Sequence, residues 1–219
     1  MSVRAISLWT RLFAAVIVGC GVLAVAGRAP ADMVSEQRAR LPPPVDPSVC
    51  SDDVEGDWVS HDYDTRWSEW TMFSLRVRRK PGSTRELIVD LANRSWDGTP
   101  ASSEPPTNCT RGLKHWNVTM TGRGETFPDG RIEIWATSYR IEHIYCDRWG
   151  SYNLDHFTGR IDRAIQEFQS VNNDGGRSVN QPTVFRRVRC LEPPPAPHVV
   201  VTPPPFYPSR RAGGCSAAW

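Results

Sequence analysis

Met72-Phe73-Ser74-Leu75-Arg76-Val77-Arg78, then Pro81-Gly82-Ser83, then Leu87-Ile88-Val89-Asp90-Leu91, is the stretch that decides the fold class. Phe73, Leu75 and Val77 alternate with Ser74, Arg76 and Arg78. Leu87, Val89 and Leu91 alternate with Ile88 and Asp90. A period of two places one set of side chains on a buried face and the other in solvent, as in a half-buried strand. Proline and glycine between the two runs mark a turn. The stretch reads as strand, turn, strand, with the apolar set of both strands on one face.

The same grammar extends in both directions. Upstream, Gly56-Asp57-Trp58-Val59-Ser60 reads as a first short strand, and His61 to Trp70 as a polar-aromatic loop or lid. Downstream, Trp96 to Asn108 reads as a long polar loop with three prolines. Trp116, Val118 and Met120 alternate again, and Phe127-Pro128-Asp129-Gly130 is a tight turn. Ile132, Ile134 and Ala136 follow, with Ile141 and Tyr145 extending or restarting that strand, and Arg148-Trp149-Gly150-Ser151 breaks it. Leu154 to Gly159 alternates. Ile161 to Val171 fits both helix and strand spacing and is read as strand because its neighbours are. Asn172-Asn173-Asp174-Gly175-Gly176 is a turn, and Thr183 to Arg189 closes the series. Short strands at such spacing predict an all-β domain, either a single antiparallel β-barrel or a β-sandwich.

This domain spans residues 50–190, with a cysteine at each end. Residues 1–26 read as a signal peptide: Arg4 and Arg11, an apolar run, then Ala24-Val25-Ala26. Ile17-Val18-Gly19-Cys20 is similar to a bacterial lipobox, and an uncleaved anchor is the third reading. A membrane would thus be met only through a lipidated or uncleaved N-terminus. Residues 27–49 contain Leu41-Pro42-Pro43-Pro44 and read as an extended linker. Residues 191–219, with two Pro-Pro-Pro runs, read as a disordered tail. The expected location is secreted or cell envelope, in a bacterium. Four cysteines fall in the domain, Cys50, Cys109, Cys146 and Cys190, an even number in an exported chain. Of three connectivities, Cys50–Cys190 and Cys109–Cys146 is preferred, because the first ties the domain's entry to its exit. Loss of Arg4 and Arg11 with the first 26 residues takes the formal net charge from +2 to zero. That neutrality argues against nucleic acid, whose binders carry a basic excess.

Gly56-Asp57-Trp58 on the first strand resembles the G-x-W signature of lipocalins and their calycin relatives. The resemblance implies a barrel whose floor is closed by Trp58, stacked near an arginine of the last strand: Arg186, Arg187 or Arg189. It implies a small apolar molecule held in the cup, lined by Trp58, Phe73, Leu75, Val89, Trp116, Val118 and Ile134. The family's T-D-Y motif is not visible, and a Pro-rich tail stands where its terminal helix would be.

Other constellations are weaker. His61, Asp62, Asp64 and Glu69 beside Trp67 and Trp70 suggest a sugar or cation site, although a solvated loop is the commoner case. Exposed Trp67, Trp70, Trp96 and Trp149 would suit a carbohydrate-binding or envelope-interaction module. His115, His143 and His156 have no H-x-H or H-E-x-x-H spacing, no C-x-x-C pair exists, and neither a metal nor a cofactor is expected. No G-x-S-x-G elbow is present, and Asp155 with Glu167 as a glycosidase pair is weighed against ordinary strand acids. The sequence-based expectation is therefore an exported non-enzymatic binding domain. The surface-tryptophan module is the first alternative, and a hydrolase, enzyme status being open, the second.

Overall fold

The computed structural model describes residues 30–109, 113–146 and 150–191. After a helix, α1 (Pro30–Arg40), and a short 3-10 turn (Pro47–Val49) come eight strands: β1 (Gly56–Asp64), β2 (Glu69–Arg79), β3 (Glu86–Asp97), β4 (His115–Thr126), β5 (Arg131–Tyr145), β6 (His156–Asp162), β7 (Glu167–Asn172) and β8 (Gln181–Arg189). Each strand pairs antiparallel with the next, and β8 returns to β1, so the sheet closes as a barrel. The seam is short: Asp57, Trp58 and Val59 face Arg189, Arg187 and Arg186 across a bulge. An eight-stranded barrel has an interior that side chains alone can fill. Here the alternating set does so. Trp58, Phe73, Leu75, Val77, Leu87, Val89, Leu91, Val118, Met120, Ile132, Ile134, Phe157, Phe168 and Phe185 form one buried cluster.

The turns obey their chemistry. Gly82 and Gly130 take positive φ, at 78° and 82°, between β2 and β3 and between β4 and β5. That region is open to glycine without penalty. Asp129 Oδ1 also accepts from Arg131 N. Both expected disulfides are present, Cys50–Cys190 and Cys109–Cys146, and such bonds persist in an oxidising compartment. No helix among the described residues is long and apolar enough to cross a membrane. The expected signal peptide (1–26), most of the tail, and Trp149 lie outside the described residues.

Four expectations give way. Ile161 to Val171 is not one strand: β6 ends at Asp162, residues 163–166 turn, and β7 begins at Glu167. His61 to Trp70 is not a loop or lid: β1 runs to Asp64 and β2 starts at Glu69, leaving a tight turn. Trp96 belongs to β3 rather than to the loop after it. Residues 27–49 are not simply an extended spacer, because α1 packs on the barrel against β8 and β1. The Gln37 side chain is buried there. Its amide donates to Pro182 O at 2.8 Å and accepts from Val184 N at 2.8 Å. Arg38 Nε reaches the buried Glu167 at 2.8 Å.

Candidate functional site

Four places in the fold combine chemistry with position. The first is the barrel floor. Trp58 Nε1 donates to Val54 O at 3.0 Å. The Arg187 guanidinium lies over its ring, 5.5 Å from the centroid. Of the three arginines proposed from sequence, Arg187 is therefore the partner. Its side chain is buried and donates to Asp52 O at 2.7 Å, to Gln166 Oε1 at 3.2 Å and to Glu55 O. Burial lowers its pKa, with Asp52, Asp53 and Glu55 opposing. Gly56 is required here: a Cβ would stand 2.5 Å from Arg189 O and 2.7 Å from Arg187 Nε.

Above the floor the expected ligand cup is filled by the chain itself. Trp58, Phe73, Leu75, Val89, Val118 and Ile134 are all buried against one another, and Trp116 packs half-buried against them. The space bounded by Val54, Trp58, Leu75, Val77, Ile132, Ile134, Ile161 and Phe168 is about 10 Å³. That is room for roughly one water, whereas ligand pockets run to several hundred Å³.

The second place is the barrel mouth. Asp155, just before β6, accepts from Tyr152 OH at 2.6 Å and from Asn172 Nδ2 at 2.7 Å. Burial pushes its carboxyl up to about 6, against the pull of those two hydrogen bonds. Tyr152 is itself pushed upward by burial and by the Asp155 charge. Asp155 and Glu167 do not form a glycosidase pair. Glu167 lies at the far end of β7 from Asn172 and pairs with Arg38 and Arg186 instead. Five residues of strand separate them by about 16 Å, beyond the 5–9.5 Å that such pairs need.

The third place is a groove of about 730 Å³ on the outer face of β1–β5. Val59, Ser74, Ala92, Thr119 and Arg140 are register neighbours in one row across these strands. Asp57, Arg76, Asp90, Thr121 and Ser138 form the next. Small side chains in the middle make the hollow, with Val188 beside them and Arg140 at the rim. The rim charges are paired at home. Asp57 takes Arg76 Nε at 2.8 Å and Arg189 Nε at 2.7 Å, and Glu142 takes Arg140 at 2.6 Å. Burial disfavours the Asp57 charge, but the two guanidiniums outweigh it and hold the carboxyl below its usual range.

The fourth place is an aromatic ledge on the same outer face, one end further along. Tyr63, Trp70, Trp96, His115 and Tyr145 are register neighbours across β1–β5, and His61, Met72, Arg94, Asn117 and His143 form the adjoining row. Tyr63, Trp70 and Trp96 are buried as a cluster separate from the barrel core. Residues 98–109 lie over them. Tyr63 OH donates to Gly98 O, Trp70 Nε1 to Thr99 O and Trp96 Nε1 to Ser102 O, at 3.0, 2.9 and 2.9 Å. The exposed-tryptophan module therefore fails at two of its four residues. Trp67 is exposed, with Arg177 over its ring at 4.7 Å.

His115 and His143 converge, with ring centroids 4.9 Å apart, while His156 sits near Trp135, 6.5 Å away. No group of three metal-ligating side chains forms among the described residues. Asp62 and Glu69 face Arg40 and Arg177 rather than a common point. The missed residues, Tyr152, Asn172 and the groove rows, carry no motif. A composite surface of small outward side chains looks like any solvated strand face.

The chain matches no protein-family model, no curated protein and no solved structure. The eight-stranded closed antiparallel barrel, with Trp58 under Arg187, is consistent with a calycin-like fold.

Proposed function

We propose that the protein is an exported, non-enzymatic binding domain whose binding surface is the outer groove over β1–β5, and that its ligand is a segment of a partner protein. The observation that carries this reading is the contrast in free volume: about 10 Å³ in the interior space beside Trp58 and about 730 Å³ in the outer groove. The hollow has Val59, Ala92 and Val188 for an apolar floor, and its rim carries Arg76 and Arg140. An apolar centre inside a polar rim with arginine is the anatomy of protein–protein interfaces. Charges already neutralised by neighbours disfavour a highly charged ligand, which fits the neutral balance of the chain.

The test is site-specific photo-crosslinking in the native host. A crosslinker at Ser74 or Thr121 is expected to capture one discrete partner, and the Ala92→Arg substitution to abolish capture. A crosslinker at Gln169, exposed on β7, serves as the control. Equal capture from Gln169, or capture indifferent to Ala92→Arg, overturns the reading. A small molecule that leaves the protein only on denaturation, read by native mass spectrometry, returns the site to the barrel interior.

A further inference from the structure

The ledge beside the groove carries three histidines whose burial the fold has left incomplete. His115 is 5% exposed, and neither Nδ1 nor Nε2 has a hydrogen-bond partner; Nε2 of His61 and of His143 are likewise buried and unpartnered. Buried polar atoms are nearly always hydrogen-bonded, so these rings, two of them against residues 98–109, are an exception with a physical meaning. A neutral imidazole can tolerate an unmade bond. An imidazolium carries two donors and a charge, and burying it without acceptors costs far more.

We propose that residues 98–109 form an acid-released cover: protonation of His61 and His115 lifts the segment from the outer face of β1–β5 and exposes Tyr63, Trp70 and Trp96.

The surroundings favour release over accommodation. His143 meets His115 edge to face at 4.9 Å and disfavours a charge on it. Arg94 of β3 also bears on His115. Arg40 of α1 bears on His61 and lies over the Trp70 ring at 5.2 Å. Opposing charge comes from Glu104 on the cover, toward His61, and from Glu142 on β5, toward His143. Tyr145 packs against both His115 and His143. The cover's own bonds to Tyr63, Trp70 and Trp96 run from neutral side chains to backbone carbonyls and supply no charge themselves.

Burial pulls the His61 and His115 rings below the usual imidazole range. Arg40 adds to this for His61, and His143 for His115. Smaller contributions pull the other way, from Glu104 and the Ser103 backbone for His61 and from the Pro106 backbone for His115, although no hydrogen bond closes to either His115 nitrogen. The sign follows. A histidine whose pKa is lower closed than open stabilises the closed form above the open-state value of about 6.5, and that stabilisation is lost as pH falls below it. The far end of the cover stays tethered by Cys109–Cys146, so opening is a hinged, reversible movement. It does not require the groove to bind anything.

The test uses the intact, disulfide-bonded protein and hydrogen exchange of indole N–H groups by NMR. Trp70 and Trp96 report the cover, since Thr99 and Ser102 hold their N–H groups. Trp58, whose N–H is held by Val54 inside the barrel, is the control. Between pH 7.5 and pH 5, protection at Trp70 and Trp96 is expected to fall at least tenfold after correction for intrinsic exchange, with Trp58 unchanged. The variants His61→Gln and His115→Gln are each expected to make that pH dependence shallower. Constant protection at all three indoles overturns the proposal, as does a parallel fall at all three or an unaltered slope in both variants.

Discussion

Trp58 and Trp96 are equally hidden, at 2% and 1% exposure, but they are hidden by different means. Trp58 lies inside a closed sheet among apolar side chains, its charged neighbour Arg187 held through its terminal nitrogens by the Asp52 and Glu55 carbonyls. Trp96 lies outside the sheet, under a segment that touches it through a few hydrogen bonds and leaves neighbouring imidazoles without partners. Burial by a sheet is collective: it is lost only when the barrel is lost. Burial by a cover is conditional, and regions held by few contacts are those that open locally. The two regions also answer acid with opposite signs. Interior Asp155 is strained by its charge and relieved by a proton, whereas the ledge histidines are comfortable only without one.

That contrast can be broken or sharpened by experiment. The largest effects should come from the disulfides. In the chain-entropy account, removing Cys50–Cys190, with a separation of 140 residues, costs about 5 kcal/mol, and removing Cys109–Cys146, with a separation of 37, about 4 kcal/mol. Double Cys→Ala variants should differ more in kind than in size when amide exchange is followed. The first should loosen the whole barrel and the second chiefly the cover; uniform loosening in both would erase the distinction. Next, Phe157→Ala removes a ring that meets Phe73 and Phe185 edge-on at 5.1 and 5.0 Å. It should cost about 3–5 kcal/mol in urea unfolding, and a cost below about 1 kcal/mol would mean the interior is less tightly packed than described.

Asp155→Asn is expected to stabilise. Asparagine can still accept from Asn172 and donate to the Tyr152 oxygen, without the charge. The folded carboxyl titrates at about 6 against 3.8 in the open chain, so its ionisation opposes folding. The penalty is absent below about pH 4, grows through the window from 4 to 6, and reaches about 3 kcal/mol above it. The variant should match the parent at pH 4 and exceed it by that amount at pH 7; a variant less stable at both would refute the assignment. Smallest of all is the exposed Arg78–Asp90 pair on the outer face at 2.5 Å. A double-mutant cycle should return less than about 1 kcal/mol, falling further with salt.

The barrel was legible because its inner face is written in period-two alternation, and turns such as Pro81-Gly82 punctuate it. The preferred disulfides followed from cysteine positions alone. The ledge was not legible, because Trp70 and Trp96 occupy the outward phase of their strands. Apolar residues in that phase among polar neighbours look like loop, and only residues 98–109 folding back explain them. Helix α1 did leave signals: a proline at its first position, Asp32 in its first turn, and Arg38 and Arg40 in its last. These are ordinary helix start and stop chemistry, masked by the proline run that follows. Arg187 could be narrowed to three candidates but not chosen, since bulging at the seam decides which arginine turns inward.

The Gln37 amide bridging Pro182 and Val184 makes the first element of the described chain a clasp on the last. The partners are 145 and 147 residues apart in sequence. Contacts of such long range form late and slowly. During synthesis the helix emerges first and must wait, unclasped, until β8 is delivered. Sealing of the barrel is thereby the terminal event of its maturation, and a chain interrupted anywhere before residue 182 would carry an open sheet edge ready to pair with its neighbours.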